Sequence, residues 1–180
     1  MTNVAYFAGG CFWCVEHDLG ALSGVISAVS GYMGGTMLDP TYEDHGDHRE
    51  AVFVTYDPAK TSFKKLVQFF IDHIDPTDTG GQFHDRGGSY RTAIFFNSAE
   101  EKEIIDGALM ELDASHVYDR PHAVEVLPAT RFYEAEEYHQ RYAEKNPVQY
   151  SAYRQGSGRE DFVNRTCQIR EEKHIIWKEE

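Results

Sequence analysis

Two cysteines three residues apart are the most reactive pair of side chains in this sequence. Cys11 and Cys14 follow Gly9-Gly10 and a short apolar run, and residues at i and i+3 share one face of a helix. That spacing can be bridged by a disulfide after some adjustment. A thiol at a helix N-terminus feels the positive end of the helix dipole, so we expect the pKa of Cys11 to fall from about 8.5 towards neutrality. The pattern predicts Cys11 as a nucleophile and Cys14 as a thiol that can resolve its oxidised sulfur.

Other interpretations of the pair stay open on the residues alone. Both cysteines could be buried and inert, or they could belong to a general thiol-disulfide oxidoreductase. The bulky Phe12-Trp13 between them differs from the Gly-Pro usual in a thioredoxin-like site. A zinc site needs four ligands, and neither Cys167 nor the nine histidines complete one at ligand spacing. His45 and His48 are interpreted as exposed loop histidines, and Cys167 as either an idle thiol or a second resolving thiol.

Candidate polar groups lie where predicted strands begin or end. Tyr32 and Tyr90 are flanked by glycines, so each phenol could donate a hydrogen bond in a cleft, although each could be an ordinary core tyrosine. Glu50 begins the most apolar strand, where burial would raise its pKa and make it a general acid. An exposed strand-end glutamate is the alternative. Asp75 precedes Pro76, and it could hold substrate or simply cap a turn.

The elements that must position these residues follow from periodicity. Strands are predicted over residues 4–8, 25–32, 50–56, 90–96 and 123–127. Helices are predicted over 11–22, after a Ser62 cap, from a Ser98–Glu101 capping box to about 112, and within 130–145. The order predicts an α+β fold, a two-layer α/β sandwich with a ferredoxin-like mixed sheet and helices on one face. Residues 1–150 form the predicted catalytic domain, and 151–180 its irregular, coil-rich C-terminal tail.

Composition narrows the class of protein. The net charge of -13 over 180 residues argues against nucleic-acid binding, which needs clustered cations. No apolar run approaches the roughly 20 residues of a membrane span, and the start shows no secretory pattern. Three cysteines do not form a secreted disulfide framework. We therefore expect a cytoplasmic protein, monomeric and without a membrane or nucleic-acid partner.

The ordered motifs together resemble the methionine sulfoxide reductase A family over roughly residues 4 to 150. The first half of the match is Gly10-Cys11-Phe12-Trp13 with Glu16, Gly31-Tyr32, Gly34-Gly35, Pro40-Thr41-Tyr42, Glu50-Ala51-Val52 and Tyr56-Asp57-Pro58. The second half is Asp75-Pro76, Tyr90-Arg91, Pro128-Ala129-Thr130, Phe132-Tyr133, Ala135-Glu136, Tyr138-His139-Gln140 and Lys145-Asn146-Pro147.

The resemblance implies reduction of the S epimer of methionine sulfoxide, free or in oxidised proteins, with no metal or organic cofactor. It implies that Cys11 attacks the sulfoxide sulfur and becomes a sulfenic acid while methionine leaves. Glu50 would give a proton to the sulfoxide oxygen, and Tyr32 and Tyr90 would donate hydrogen bonds to it.

The resemblance also assigns the remaining site residues and the partner. Phe12 and Trp13 would form an apolar pocket for the S-methyl group, and Asp75 would help hold the substrate backbone. Cys14 would condense with the Cys11 sulfenic acid into a disulfide that thioredoxin, the external reductant, reduces.

The sequence departs from the family pattern at four places. Cys14 replaces the usual glycine, and the stretch 43–48 is about four residues shorter than usual. Ile74 stands where histidine usually precedes Asp-Pro. Phe83 and Ser89 replace a usual glycine and glutamine.

Overall fold

A six-stranded sheet with helices against it organises the chain, whose residues 2–175 and 177 are described by a computed structural model. The strands are β1 Asn3–Ala8, β2 Val25–Met33, β3 Arg49–Tyr56, β4 Gly81–Gln82, β5 Asp85–Arg86, β6 Ala93–Phe96, β7 Glu125–Pro128 and β8 Tyr133–Glu134. The helices are α1 Phe12–Gly20, α2 Phe63–Asp72, α3 Ala99–Ser115, α4 Tyr142–Lys145, α5 Pro147–Gly156 and α6 Arg159–Glu172. Short 3-10 turns cover Gly88–Tyr90 and Glu137–His139.

The strand order confirms the predicted fold class. The main sheet runs β7-β6-β1-β3-β2-β8, with β4 and β5 forming a separate two-stranded ribbon. Neighbours in the main sheet are antiparallel except for the parallel pair β6–β7. The inner order β6-β1-β3-β2, with α1 after β1 and α2 after β3, is the ferredoxin-like arrangement.

The register places the ends of β1 and β2 beside the starts of β3 and β6, at the same end of the sheet. Phe7 of β1 pairs with Val52 of β3, so β1 ends where β3 begins. Ala8 pairs with Ala93, which places the start of β6 beside the same end of β1. Because β2 also finishes there, opposite the start of β3, loops that leave these ends meet in one region.

The core between the sheet and helices α1–α3 is built from the predicted apolar faces. Phe7, Val52 and Val54 of the sheet pack in one cluster with Leu66 and Phe70 of α2. Two caps also follow the sequence, because the Ser62 and Ser98 side chains accept from the third backbone N–H beyond them. Within the described residues, no helix is long and apolar enough to cross a membrane.

The C-terminal segment corrects the sequence prediction. Residues 147–172 form α5 and α6 rather than irregular coil; the rest of the predicted tail, residues 176 and 178–180, lies outside the described residues. The buried face of α6 recurs at helical spacing but is largely polar, consisting of Arg159, Val163, Thr166 and Arg170. Hydrophobic periodicity cannot find such a helix, since two of its four inward residues are arginines.

Candidate active site

A glycine turn sets the position of Cys11. Gly10 has φ of +81°, a conformation that strains residues with a Cβ. A Cβ on Gly10 would lie 2.5 Å from Cβ of Gln82, so the turn also needs the missing side chain. Cys11 is then the N-cap of α1, as the sequence predicts, and it lies at the edge where the strand ends meet.

The two thiols form a buried, hydrogen-bonded pair. Cys11 is 5% exposed and Cys14 is 0% exposed, and both are free thiols. Burial raises the pKa of Cys11 well above its ordinary value, and the bond that it donates to Cys14 raises it further. That bond, with Arg159 and Arg154 nearby, lowers the pKa of Cys14 to about 7 against the burial cost. The structure therefore corrects the expectation for the resting enzyme: Cys14, not Cys11, is the more acidic thiol.

Glu50 lies at the N-terminus of α1, beside the thiols. The backbone N–H of Phe12 donates to its Oε2 at 2.9 Å, so the carboxyl accepts the first free amide of the helix. Glu50 is 2% exposed, and burial raises its pKa to about 8 although the Phe12 bond opposes that rise. At pH 7 the carboxyl is mostly protonated and can donate a proton. The shortened loop before it still delivers this side chain to the site.

A cavity of about 50 Å³ opens over these groups. Its lining comprises Cys11, Phe12, Trp13, Tyr42, Glu50, Asp85, Tyr90 and Tyr153. The volume suits a group of a few heavy atoms. The cavity can admit the end of a side chain next to the Cys11 sulfur.

Aromatic rings make the apolar wall of the cavity. The Trp13 ring stacks on Tyr142 with centroids 3.7 Å apart, and its indole N–H donates to Nδ1 of His139 at 3.0 Å. Phe12 packs 5.0 Å from the same imidazole. The structure thus places Phe12 and Trp13 on the cavity wall, each in contact with a neighbouring ring.

Tyrosines and an aspartate supply the polar wall. Tyr90 and Tyr42 both lie near the Glu50 carboxyl, and burial raises the pKa of each phenol, so both remain neutral donors. The Tyr153 hydroxyl donates to Oδ2 of Asp85 and also faces the Cys11 sulfur. Neutral hydroxyls therefore surround the position that a substrate oxygen would take.

Two residues predicted for the site are not brought into the cavity. The Tyr32 hydroxyl donates to Oε1 of Glu136 at 3.0 Å, and its ring stacks on His45. Asp75 accepts from the N–H and hydroxyl of Thr77 at 3.0 and 2.8 Å, which makes it a turn cap, the alternative reading from sequence. Tyr42 and Asp85 line the cavity instead.

The sequence held a partial signal for the missed residues. Tyr42 lies in the Pro40-Thr41-Tyr42 motif, and Asp85 precedes the glycines that flank Tyr90. Whether Tyr42 and Asp85 face the Cys11 sulfur depends on the conformation of their loops, which residue spacing does not determine. The sequence gives no indication of Tyr153 and Arg159, because their segment lacks the apolar helical periodicity that would predict a helix there.

The histidine loop differs from its prediction. His48 is 1% exposed rather than solvated, because its Nδ1 accepts from the N–H of Gly35 and its Nε2 contacts the Met37 carbonyl at 2.8 Å. It therefore ties the loop between β2 and β3 together. Within residues 2–175 and 177, no three His, Cys, Asp or Glu side chains cluster in a way that could hold a metal.

The fold and site define a class of protein. Cys11 and the protonated Glu50 line a small aromatic cavity, and Cys14 is bonded to Cys11. A nucleophilic thiol with a second thiol and a proton donor defines a thiol-dependent reductase, and the small cavity fits the end of an apolar side chain. A statistical model of the peptide methionine sulfoxide reductase family matches residues 3–171. The chain belongs to this family, and it is a peptide methionine sulfoxide reductase of the MsrA type.

Known relatives agree over nearly the whole chain. The peptide methionine sulfoxide reductase MsrA of Bacillus velezensis is 46% identical over 90% of this chain and 94% of its own length. The MsrA of Bacillus subtilis is 45% identical over the same shares. The methionine sulfoxide reductase A structure from Corynebacterium diphtheriae superposes with a TM-score of 0.71 at 31% identity, covering 82% of this chain and 76% of that one. Reduced Mxr1 of Saccharomyces cerevisiae gives a TM-score of 0.74 at 28% identity, over 82% and 87% of the two chains.

Proposed function

We propose that the enzyme reduces the S epimer of methionine sulfoxide, free or in oxidised proteins, through a sulfenic acid on Cys11. The observation that supports this most is the arrangement at the start of α1. There Cys11 and the proton-bearing Glu50 line a cavity of about 50 Å³, and the second thiol, Cys14, is hydrogen-bonded to Cys11 behind it. Each of the three groups has a separate task in reducing a sulfoxide.

The first step transfers oxygen from the substrate to Cys11. Glu50 gives its proton to the sulfoxide oxygen, which makes the sulfur electrophilic. The Cys11 sulfur bonds to that sulfur as its own thiol proton passes to the Cys14 acceptor. The protonated oxygen then forms a bond to the Cys11 sulfur, while its bond to the substrate sulfur and the bond between the two sulfurs break and methionine leaves. The thiol and the sulfoxide have become a sulfenic acid and methionine, so atoms and electrons balance.

The substrate oxygen needs donors as its charge develops. We assign this task to Tyr42 and Tyr90, since both line the cavity near Glu50. Tyr32, whose hydroxyl donates to Glu136, supports the wall instead. Asp85, held by Tyr153 at the cavity, takes the substrate-holding task that the family resemblance implies for Asp75.

The second step converts the Cys11 sulfenic acid into a disulfide that an external dithiol can reduce. Cys14 attacks the Cys11 sulfenic acid, a Cys11–Cys14 disulfide forms, and the oxygen leaves as water. We propose thioredoxin as the dithiol that reduces this disulfide. Support comes from a structural relative of the same fold, Mxr1 of Saccharomyces cerevisiae, whose structure is known in complex with Trx2. A monomeric state and a cytoplasmic location stay predictions.

Mass spectrometry of the thiols tests the cycle. Treatment of the reduced enzyme with a methionine S-sulfoxide peptide and no reductant should give one methionine and one Cys11–Cys14 disulfide, with Cys167 free. The R epimer, as control, should give neither product. A disulfide that includes Cys167 would contradict the assignment of the resolving thiol.

The alternative activity, general thiol-disulfide exchange, is separated by a second substrate. Insulin disulfides should be reduced far more slowly than a methyl sulfoxide, because the cavity of about 50 Å³ excludes a folded disulfide loop. Comparable rates on both substrates would favour the alternative.

A further inference from the structure

Arg159, at the start of α6, is a fully buried cation next to the thiols. Its side chain is 2% exposed, and its guanidinium donates to the carbonyl oxygens of Gly9 at 2.7 Å and His73 at 3.0 Å. The Phe83 ring lies 4.8 Å from its Cζ. Among the described residues, no carboxylate lies within ion-pair distance of Arg159.

This environment favours a nearby anion. A buried cation without a carboxylate is destabilising, and two carbonyl dipoles and an aromatic face offset only part of that cost. The neighbouring Arg154 differs, because Asp18 at 2.9 Å and Glu160 neutralise its charge. The guanidinium of Arg159 lies against the turn that leads into α1, 3.0 Å from where a Cβ on Gly10 would lie. Cys14 is wholly buried in the first turn of that helix and within the field of Arg159, so it is the group that can supply the missing negative charge.

We propose that Arg159 is a positioning residue that stabilises the thiolate of Cys14 and so directs both halves of the disulfide cycle. The inference rests on the proposed function. In the resolving half, the Cys14 thiolate bonds to the sulfur of the Cys11 sulfenic acid, the S–O bond breaks, and the oxygen leaves with protons as water. In the recycling half, an external thiolate bonds to the Cys11 sulfur, the Cys11–Cys14 bond breaks, and its electron pair leaves on Cys14.

In the recycling half the electron pair leaves on Cys14 because the thiol of lower pKa is the better leaving group. The exposure of the two residues also favours attack on Cys11, since Cys11 lines the cavity and is 5% exposed, whereas Cys14 is 0% exposed. Attack on Cys11 is therefore favoured both by access and by the charge that Arg159 stabilises.

The other groups that act on Cys14 come from three elements: α1 with its N-cap, α5 and β3. Arg154 favours its thiolate, as does the bond from Cys11, whereas burial and Asp18 oppose it. Tyr150 and Glu50 are also within its field. Arg154 is already paired with Asp18, and so Arg159 is the cation whose removal should move the titration of Cys14 most.

Charge removal at Arg159 is tested in a single turnover. Arg159→Met, Arg159→Lys and the control Arg170→Met would be mixed with methionine sulfoxide at pH 5.5–9, acid-quenched and alkylated, and scored for methionine and for free thiols. In Arg159→Met we expect the methionine burst to keep its amplitude of one methionine per enzyme, although it forms more slowly because Cys14 also accepts the Cys11 proton. Disulfide formation at pH 7 should slow about tenfold and its pH midpoint should rise by about one unit, since the thiolate fraction falls tenfold per unit. Arg159→Lys should recover most of the rate.

Arg170→Met separates this effect from lost packing. Arg170 lies on the same helix, is 7% exposed and pairs with Asp72 at 3.2 Å, but it is about 16 Å further along the helix axis. Its loss should lower stability and leave the pH midpoint unchanged. An unaltered midpoint in a folded Arg159→Met, or a Lys variant no better than Met, would overturn the proposal. Absence of a methionine burst in the unmodified enzyme would overturn the proposed function itself.

The direction of recycling is tested on the unmodified chain, so it does not depend on a variant that folds. The oxidised enzyme would be mixed with a thioredoxin that lacks its second active-site cysteine, and the trapped mixed disulfide mapped by peptide mass spectrometry. We expect the link on Cys11 and a free thiol on Cys14. A link on Cys14 would overturn the proposal.

Discussion

At the residue scale, Glu50 shows how burial changes what a common side chain can do. Its carboxyl is 2% exposed and its pKa is raised to about 8, so it carries a proton at neutral pH. Removal of that proton source in Glu50→Gln should reduce kcat by about 10²–10⁴-fold, the usual contribution of general acid catalysis. The rate of the unmodified enzyme should fall as pH rises through about 8, where Glu50 loses its proton. Stopped-flow rates of methionine formation from pH 6 to 9.5 would measure both effects.

The same variant has a distinct effect on stability. Because the pKa of Glu50 is raised on folding, the folded state binds the extra proton, and stability falls as pH rises from the ordinary carboxyl value to about 8. Glutamine cannot ionise and can still accept from the Phe12 N–H. Glu50→Gln should therefore be more stable than the unmodified enzyme at pH 8 and equal to it at pH 4. A difference between the two that does not vary with pH would contradict the burial of an ionisable carboxyl.

Tyr42 and Tyr32 form a matched pair for separating a catalytic role from a role in stability. Tyr42 lines the cavity, whereas the Tyr32 hydroxyl is bonded to Glu136 at 3.0 Å. Tyr42→Phe removes a donor to the developing charge, so kcat should drop on the order of 10–100-fold. Tyr32→Phe should keep kcat within about threefold and cost about 1 kcal/mol of unfolding free energy. Turnover assays and urea unfolding of both variants measure this, and the reverse order of effects on kcat would return Tyr32 to the site.

At the element scale, the turn into α1 has a strict requirement. Gly10→Ala should destabilise the protein by about 1–2 kcal/mol from the left-handed backbone alone, and more because its Cβ would meet Gln82 at 2.5 Å. The shift would also displace Cys11 from Glu50 and slow its alkylation or turnover. Gly107→Ala is the matched control, since Gly107 lies within α3 with nothing within 4 Å of a new Cβ. It should stabilise by about 0.5–1 kcal/mol. Thermal unfolding of the two variants should therefore move in opposite directions.

The elements that local pattern predicted are those whose inward face is apolar. β1, α1, β2, β3 and α2 fall within a few residues of the predicted bounds because their buried side chains recur with the period of a strand or helix. α6 was missed because its inward face includes Arg159 and Arg170. Of the candidate site, Cys11, Cys14 and Glu50 were predictable from their place at element ends. Tyr42 and Asp85 depended on how two loops fold over the cavity, and the resting acidity of the thiols depended on cations from a distant part of the chain.

At the scale of the whole molecule, the last two long helices close the structure over the start of the chain. Arg159 bonds the Gly9 and His73 carbonyls, while Arg154 pairs with Asp18 of α1 at 2.9 Å. Two of these contacts join the helices to the first residues of the chain, since Arg159 and Gly9 are separated by 150 residues and Arg154 and Asp18 by 136. The folded domain thus includes α6.

A chain that ends at residue 150 tests this extent. It loses most of α5 and all of α6, and it leaves Asp18 buried without Arg154, a change that alone costs about 3–5 kcal/mol. That is a large share of the ~5–15 kcal/mol available to a domain, so the shortened chain should lose its cooperative thermal transition and its activity. The control, a chain ending at Glu172, keeps α6 and loses the Trp177 bond to Asp72, which should cost about 1 kcal/mol. Near-ultraviolet circular dichroism and calorimetry would compare them. A 150-residue chain that unfolds cooperatively near the temperature of the full enzyme would show that α5 and α6 are an appendage, and Arg159 would then lose its place in the site.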